Sequence, residues 1–152
     1  MTRNKDLLLK DLCARLPYGV KIAAKDDNEP YTLLAIHPNK DIAVIGLQFD
    51  DVFATSKIKI DCILPYLRPM SSMTEEEFVY FMGLKGRMLQ SYEIQSMMKE
   101  AFNMPNSITI VTQLYNYLHK MDWLLSKHFD VRGLIPKGFA IEVTKENNPY
   151  KL

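Results

Sequence analysis

The sequence predicts an α+β fold: an N-terminal helix, an antiparallel meander of about four strands, and a helical C-terminal half with a returning final strand. Two observations carry this. Apolar residues recur mostly with period two before Ile58 and mostly with period 3.6 after Glu77. The stretch between, 58–77, begins as a strand, runs through Pro65 and Pro69, and ends in Thr74-Glu75-Glu76-Glu77, a helix-start signature. The 152 residues read as one domain, β-rich over 17–64, helical over 74–128, with a final strand over 138–144.

Each element has its own signal. Over 4–16, Leu8, Leu9, Leu12, Cys13 and Leu16 share one helical arc. Asp6 with Lys10 and Asp11 with Arg15 are i,i+4 pairs that predict an exposed face. Pro17 stops this helix, and Leu7 falls outside its apolar stripe. Strands are expected at Gly19–Ala24, Tyr31–Ile36 and Ile42–Phe49, the last placing Ala43, Ile45, Leu47 and Phe49 on one face. Asp26-Asp27-Asn28-Glu29-Pro30 and His37-Pro38-Asn39-Lys40-Asp41 are turns of hairpin length. A link over 50–56 leads to a fourth strand, Lys57–Ile63, where Ile58, Ile60 and Cys62 alternate with Lys57, Lys59 and Asp61.

Pro65 and Pro69 then hold Tyr66-Leu67-Arg68 extended. The helix capped by Thr74 ends near Gly83 or Gly86. A second helix spans about Leu89 to Asn103, with Ile94, Met97, Met98, Ala101 and Phe102 on one face. Ser107–Val111 reads as strand or helix. A final helix covers Thr112–His128, with the stripe Leu114, Tyr117, Leu118, Met121 and Leu125. The tail 145–152 is polar and is expected to be loose.

Composition excludes several classes. Apolar residues make 47% and charged residues 24%, an ordinary globular balance. Ten Lys/Arg against nine Asp/Glu over 1–73, and nine against nine over 74–152, leave no basic tail to hold duplex DNA by charge. Cys13 and Cys62 are expected as two buried free thiols. No signal peptide is legible, and no apolar run approaches the ~18–20 residues that span a bilayer. The expected location is the cytoplasm, with no membrane partner.

Three patches carry a resemblance: Leu9-Lys-Asp-Leu-Cys-Ala-Arg-Leu-Pro-Tyr-Gly-Val20, Pro65-Tyr-Leu-Arg-Pro-Met-Ser-Ser-Met-Thr-Glu-Glu-Glu77, and Asp122-Trp-Leu with His128-Phe-Asp-Val-Arg-Gly-Leu-Ile135. Together they resemble a family of short proteins from gut bacteria of the Bacteroides type, often encoded in prophage-like or other mobile regions. That family has no assigned activity. It usually has tyrosine where Val131 stands here. The resemblance implies a small bacterial intracellular protein; an accessory factor of a mobile element is one form the expected interaction module can take.

No phosphate loop, Gly-x-Ser-x-Gly elbow or His-Glu-x-x-His is present. His119, Asp122 and His128 lack a fourth metal ligand, and His128 with Asp130 fits a helix end instead. Asp26, Asp27 and Glu29 lack EF-hand spacing. Hence no catalytic residue, metal or cofactor is assigned. The expected function is a non-catalytic protein-interaction module with an unidentified protein partner. Its candidate contact residues are Trp123, Lys120, Lys127, Leu7, Tyr66 and Arg68. Trp123 lies opposite the final helix's stripe, and Leu134 to Ile141 are the residues expected to cover it. The alternative is a nucleic-acid face built from Lys21, Lys57 and Lys59 with Tyr31.

Overall fold

The structure is a computed structural model and has the predicted α+β class. It describes residues 3–27, 29–84, 86, 88–103 and 114–151. Contacts group the chain into two compact units, Met1–Arg68 with Leu125–Leu152, and Pro69–Leu124.

The first unit is a sheet with one helix against it. Strands β1 (Lys21–Ala24), β2 (Tyr31–His37), β3 (Ile42–Phe49), β4 (Val52–Lys59), β5 (Ile63–Leu67) and β6 (Ile141–Glu142) lie in the order β4-β3-β2-β1-β5-β6. All pairings are antiparallel except β5 with β6. One face carries Ile22, Leu33, Ala43, Ile45, Ile63 and Leu67, which meet Leu8 and Leu12 of helix α1 (Arg3–Arg15) in the core. Each buried leucine or isoleucine among them contributes roughly 1.5–3 kcal/mol.

The meander departs from expectation at its end. The fourth strand begins at Val52, not Lys57, and closes on β3 through a two-residue turn at Asp50-Asp51. Asp50 takes φ 48°, a left-handed conformation that usually advertises itself with glycine or asparagine. With no glycine there, the hairpin is not legible. The predicted strand Lys57–Ile63 is split, because Ile60–Cys62 turns as one stretch of 3-10 helix.

Of Tyr66-Leu67-Arg68, expected to be extended, Tyr66 and Leu67 belong to β5, the strand between β1 and β6. Proline is tolerated there because of register. Lys25 N–H donates to the Cys62 carbonyl at 3.0 Å, which makes Ile22 and Pro65 a non-hydrogen-bonded pair. The missing N–H therefore costs the β1 ladder nothing. The final strand is shorter than predicted, Ile141–Glu142, since the N–H groups of Gly138 and Phe139 before it donate to the carbonyls of Ile135 and Leu134 in a turn.

Helix α1 is turned relative to its predicted stripe. Its buried face is Leu8, Asp11, Leu12 and Arg15. Asp11 and Arg15, expected on the exposed face, are both 0% exposed, while Cys13 is exposed and Cys62 half-buried. A carboxylate and a guanidinium that neutralise each other can enter a core. Here they lie on the buried face of α1, and Cys13 lies outside it.

In the second unit, helix α2 (Glu75–Phe81) starts at the predicted capping box. Thr74 Oγ1 accepts from Glu77 N–H at 3.2 Å, and Glu77 Oε2 accepts from Thr74 N–H at 2.9 Å. Gly83 at φ 69° follows its end. Helix α3 (Ser91–Asn103) buries Met98 and Ala101, two members of the predicted stripe. Glu75 ties α2 to α3 by accepting from Ser91 Oγ at 2.7 Å and from Gln95 Nε2. Helix α4 (Leu114–Ser126), whose last two residues belong to the first unit, buries Leu124 and Leu125. The Ser107–Val111 segment and the side chains of Leu114, Tyr117, Leu118 and His119 lie outside the described residues. Thr74→Ala should lower stability by about 1 kcal/mol. Denaturant unfolding checks this: the midpoint falls while the slope stays constant.

Candidate interaction surface

The face of the sheet opposite α1 is defined by register. Lys21 pairs with Thr32, Thr32 with Gly46, and Gly46 with Thr55, so these share one side. Alternation along β4 adds Phe53, Lys57 and Lys59 to that side. Lys57 and Lys59 are exposed, and Lys21 donates to Thr32 Oγ1 at 2.6 Å.

Gly46 organises the apolar part of this face. A Cβ there would stand 2.6 Å from Phe53 Cζ and 2.7 Å from Leu34 Cδ1. Both side chains thus lie across the bare glycine backbone. Phe53 nevertheless remains 56% exposed, and Leu34 38%. Beyond the last β2–β3 pair, Thr32 with Gly46, β3 and β4 continue alone through Leu47–Ala54, Gln48–Phe53 and Phe49–Val52. That ribbon carries Val52 at 65% exposure. An exposed β-branched residue and a phenylalanine on an edge strand are a liability unless something covers them.

A buried polar cluster lies elsewhere in the same unit. Arg15 Nε donates to Asp11 Oδ2 at 2.7 Å, its Nη2 to Asp11 Oδ1 at 3.2 Å and to the Phe129 carbonyl. Arg132 Nε approaches Asp11 Oδ1 at 3.4 Å. Asp130 accepts from the N–H groups of Leu134 and Ile135 at 2.8 and 2.9 Å, so it shapes the following turn rather than the helix end. His128, at φ 63°, stacks its ring on Tyr150 at 3.8 Å. Burial, with the positive charges of Arg15, Arg68 and Lys127, pushes the imidazole pKa down to about 4. Burial pushes the Tyr150 phenol well above its ordinary value.

Tyr150 corrects the expectation of a loose tail. Its hydroxyl accepts from Lys21 N–H at 3.1 Å and donates to the Tyr66 carbonyl at 2.8 Å. Lys21 and Tyr66 continue the register of Ile22 with Pro65. The hydroxyl therefore occupies the place of a ladder rung where β1 and β5 diverge. Thr144 N–H to Asn147 Oδ1 at 2.6 Å and Asn147 Nδ2 to the Glu142 carbonyl at 2.9 Å fold the segment before it.

The chain matches no protein-family model, no curated protein and no solved structure.

The residues singled out from sequence fall in both units. Trp123 and Lys120 belong to the second unit, and Leu7, Tyr66, Arg68 and Lys127 to the first. Trp123 is half-buried, with the rings of Tyr80 and Phe81 at 5.0 and 6.3 Å. Both rings come from α2. Leu134, Ile135, Phe139 and Ala140 pack in the core of the first unit. Lys120 Nζ donates to the carbonyls of Tyr80 and Phe81 at 2.7 and 2.8 Å, satisfying the C-terminal end of α2. Burial lowers its pKa.

Leu7 is half-buried against the core, and Tyr66 is 6% exposed. Arg68 sits 4.2 Å over the Phe129 ring, while Lys127 is exposed. Of the nucleic-acid set, Lys21, Lys57 and Lys59 share a face. Tyr31 does not: it pairs with Ile22 and so faces the core side, its hydroxyl donating to Asp27. Among the described residues no three of His, Cys, Asp and Glu cluster as metal ligands, and the His119 side chain is outside them. No described helix is long and apolar enough to cross a membrane.

Sequence reasoning passed over Val52, Phe53 and Leu34. The β-branched and aromatic residues of Val52-Phe53-Ala54-Thr55 were the available signal, hidden by the Asp50-Asp51 turn.

Proposed function

We propose that this protein is a small non-catalytic interaction module whose contact surface is the β3–β4 ribbon and the open sheet face beside it. One observation carries the reading. An edge strand of eight residues presents Val52 and Phe53 at 65% and 56% exposure. Apolar side chains on an open edge favour association with another chain.

The test pairs Val52→Ser with Phe53→Ser in one variant. Affinity capture from the host cell should recover a partner with the native protein and lose it with the variant, at equal thermal stability. Identical recovery by both would overturn the reading.

A second reading has support of its own. Lys21, Lys57 and Lys59 share the face of Phe53, a combination suited to charge and stacking contacts with single-stranded nucleic acid. A mobility shift on single-stranded DNA or RNA that weakens steeply with salt favours it over a protein partner.

A further inference from the structure

The geometry points to a second copy of this chain as an occupant of the β4 edge, joined antiparallel about Thr55. This names the partner for the ribbon and rests on the proposed function. Three features of β4 carry it.

The first is the direction of the backbone groups. Ile60 N–H donates to the Asp41 carbonyl at 3.2 Å, in register with the β3–β4 ladder. Alternation then turns the N–H and C=O of Val52, Ala54, Ser56 and Ile58 towards β3. Those of Phe53, Thr55, Lys57 and Lys59 turn outwards. Among the described residues only β3 pairs with β4.

The second is parity. A new antiparallel ladder on this edge must match outward-facing residues with outward-facing residues. Centring it on Thr55 does so, placing Phe53 opposite Lys57 of the second copy and Thr55 opposite its own equivalent.

The third is self-complementarity in that register. Asp51 comes opposite Lys59, and Val52 opposite Ile58. Opposite charges and apolar pairs across strands stabilise a sheet, and threonines facing each other do so too. Lys57 and Lys59, which normally guard an edge, meet Phe53 and Asp51 rather than each other. Centring on Ala54 sets Val52 against Ser56 and Ile58 against Asp50. Centring on Ser56 sets Lys59 against Phe53. Neither gives both the apolar and the charged pair. A two-fold axis through Thr55 makes the contact closed, so it yields a dimer and not a fibre.

Thr55→Pro is the decisive variant. It removes an outward N–H and none from the β3 ladder, so the fold persists. Sedimentation should show the native chain doubling its mass with concentration and Thr55→Pro remaining monomeric, with unchanged circular dichroism. Register is read separately, with Cys13→Ser and Cys62→Ser as background. Thr55→Cys should cross-link to its equivalent, since hydrogen-bonded antiparallel pairs hold Cα atoms ~5.5 Å apart, within disulfide reach. Phe53→Cys should not. A native chain monomeric up to about 1 mM, the weak end of specific association, would sink the inference. So would a dimer that survives Thr55→Pro, or one in which Phe53→Cys links as well as Thr55→Cys. Loss of the captured partner in the Val52/Phe53 variant of a monomeric chain would leave the proposed function standing and remove only self-pairing.

Discussion

Replacing Arg15 by Leu should destabilise the first unit by about 3–5 kcal/mol, the range for breaking a buried ion pair from one side. Arg15 and Asp11 are both 0% exposed. Without the guanidinium, the Asp11 carboxylate keeps, among the described residues, Arg132, whose side chain is 31% exposed and whose Nε lies 3.4 Å away. The Phe129 carbonyl also loses a donor. Replacing both charges, Asp11→Leu with Arg15→Met, should restore most of the loss, because no unpaired charge then stays in the core. Chemical denaturation of the two single variants and the double variant measures the coupling. Equal, additive losses below about 1 kcal/mol each, the scale of an exposed pair, would show that the pair is not buried in solution.

Tyr150→Ala should cost about 3 kcal/mol, near the low end for truncating a buried aromatic. The residue contributes a ring stacked on His128 and a hydroxyl bonded to two backbone groups. Tyr150→Phe keeps the ring and should cost about 1–2 kcal/mol, since it leaves an N–H and a carbonyl without that bridge. Burial of His128 has a pH consequence. His128 has a folded pKa of about 4 against an ordinary value of 6.5. The unfolded chain therefore binds more protons between those values. This contribution is complete above pH 6.5 and lost as pH falls towards 4. The thermal midpoint of the native protein should drop across that window, and that of His128→Phe should drop less. Parallel slopes for the two would place the imidazole in water.

The elements that were legible in the sequence are those closed by local forces. Thr74 and Glu77 satisfy each other within one turn, so their capping box is written in four consecutive residues. The alternation of Ala43 and Ile45 predicts the face of β3 that meets α1, because strand geometry alone sends them to one side. The same locality gives the α+β class.

What only the tertiary structure decided depends on partners far along the chain. Tyr150 is 129 positions from Lys21, and no local pattern foretells that its hydroxyl will stand in for a missing rung. Asp11 and Arg15 satisfy the rule for an exposed i,i+4 pair. They are buried because the Phe129 carbonyl, 114 positions beyond Arg15, accepts the bond that makes burial tolerable. The candidate surface was half legible for a related reason. Lys21, Lys57 and Lys59 could be placed on one face by alternation. Phe53 joined them only once the Asp50-Asp51 turn fixed the start of β4, and it stays exposed because Gly46 beneath it offers no side chain to fill the face.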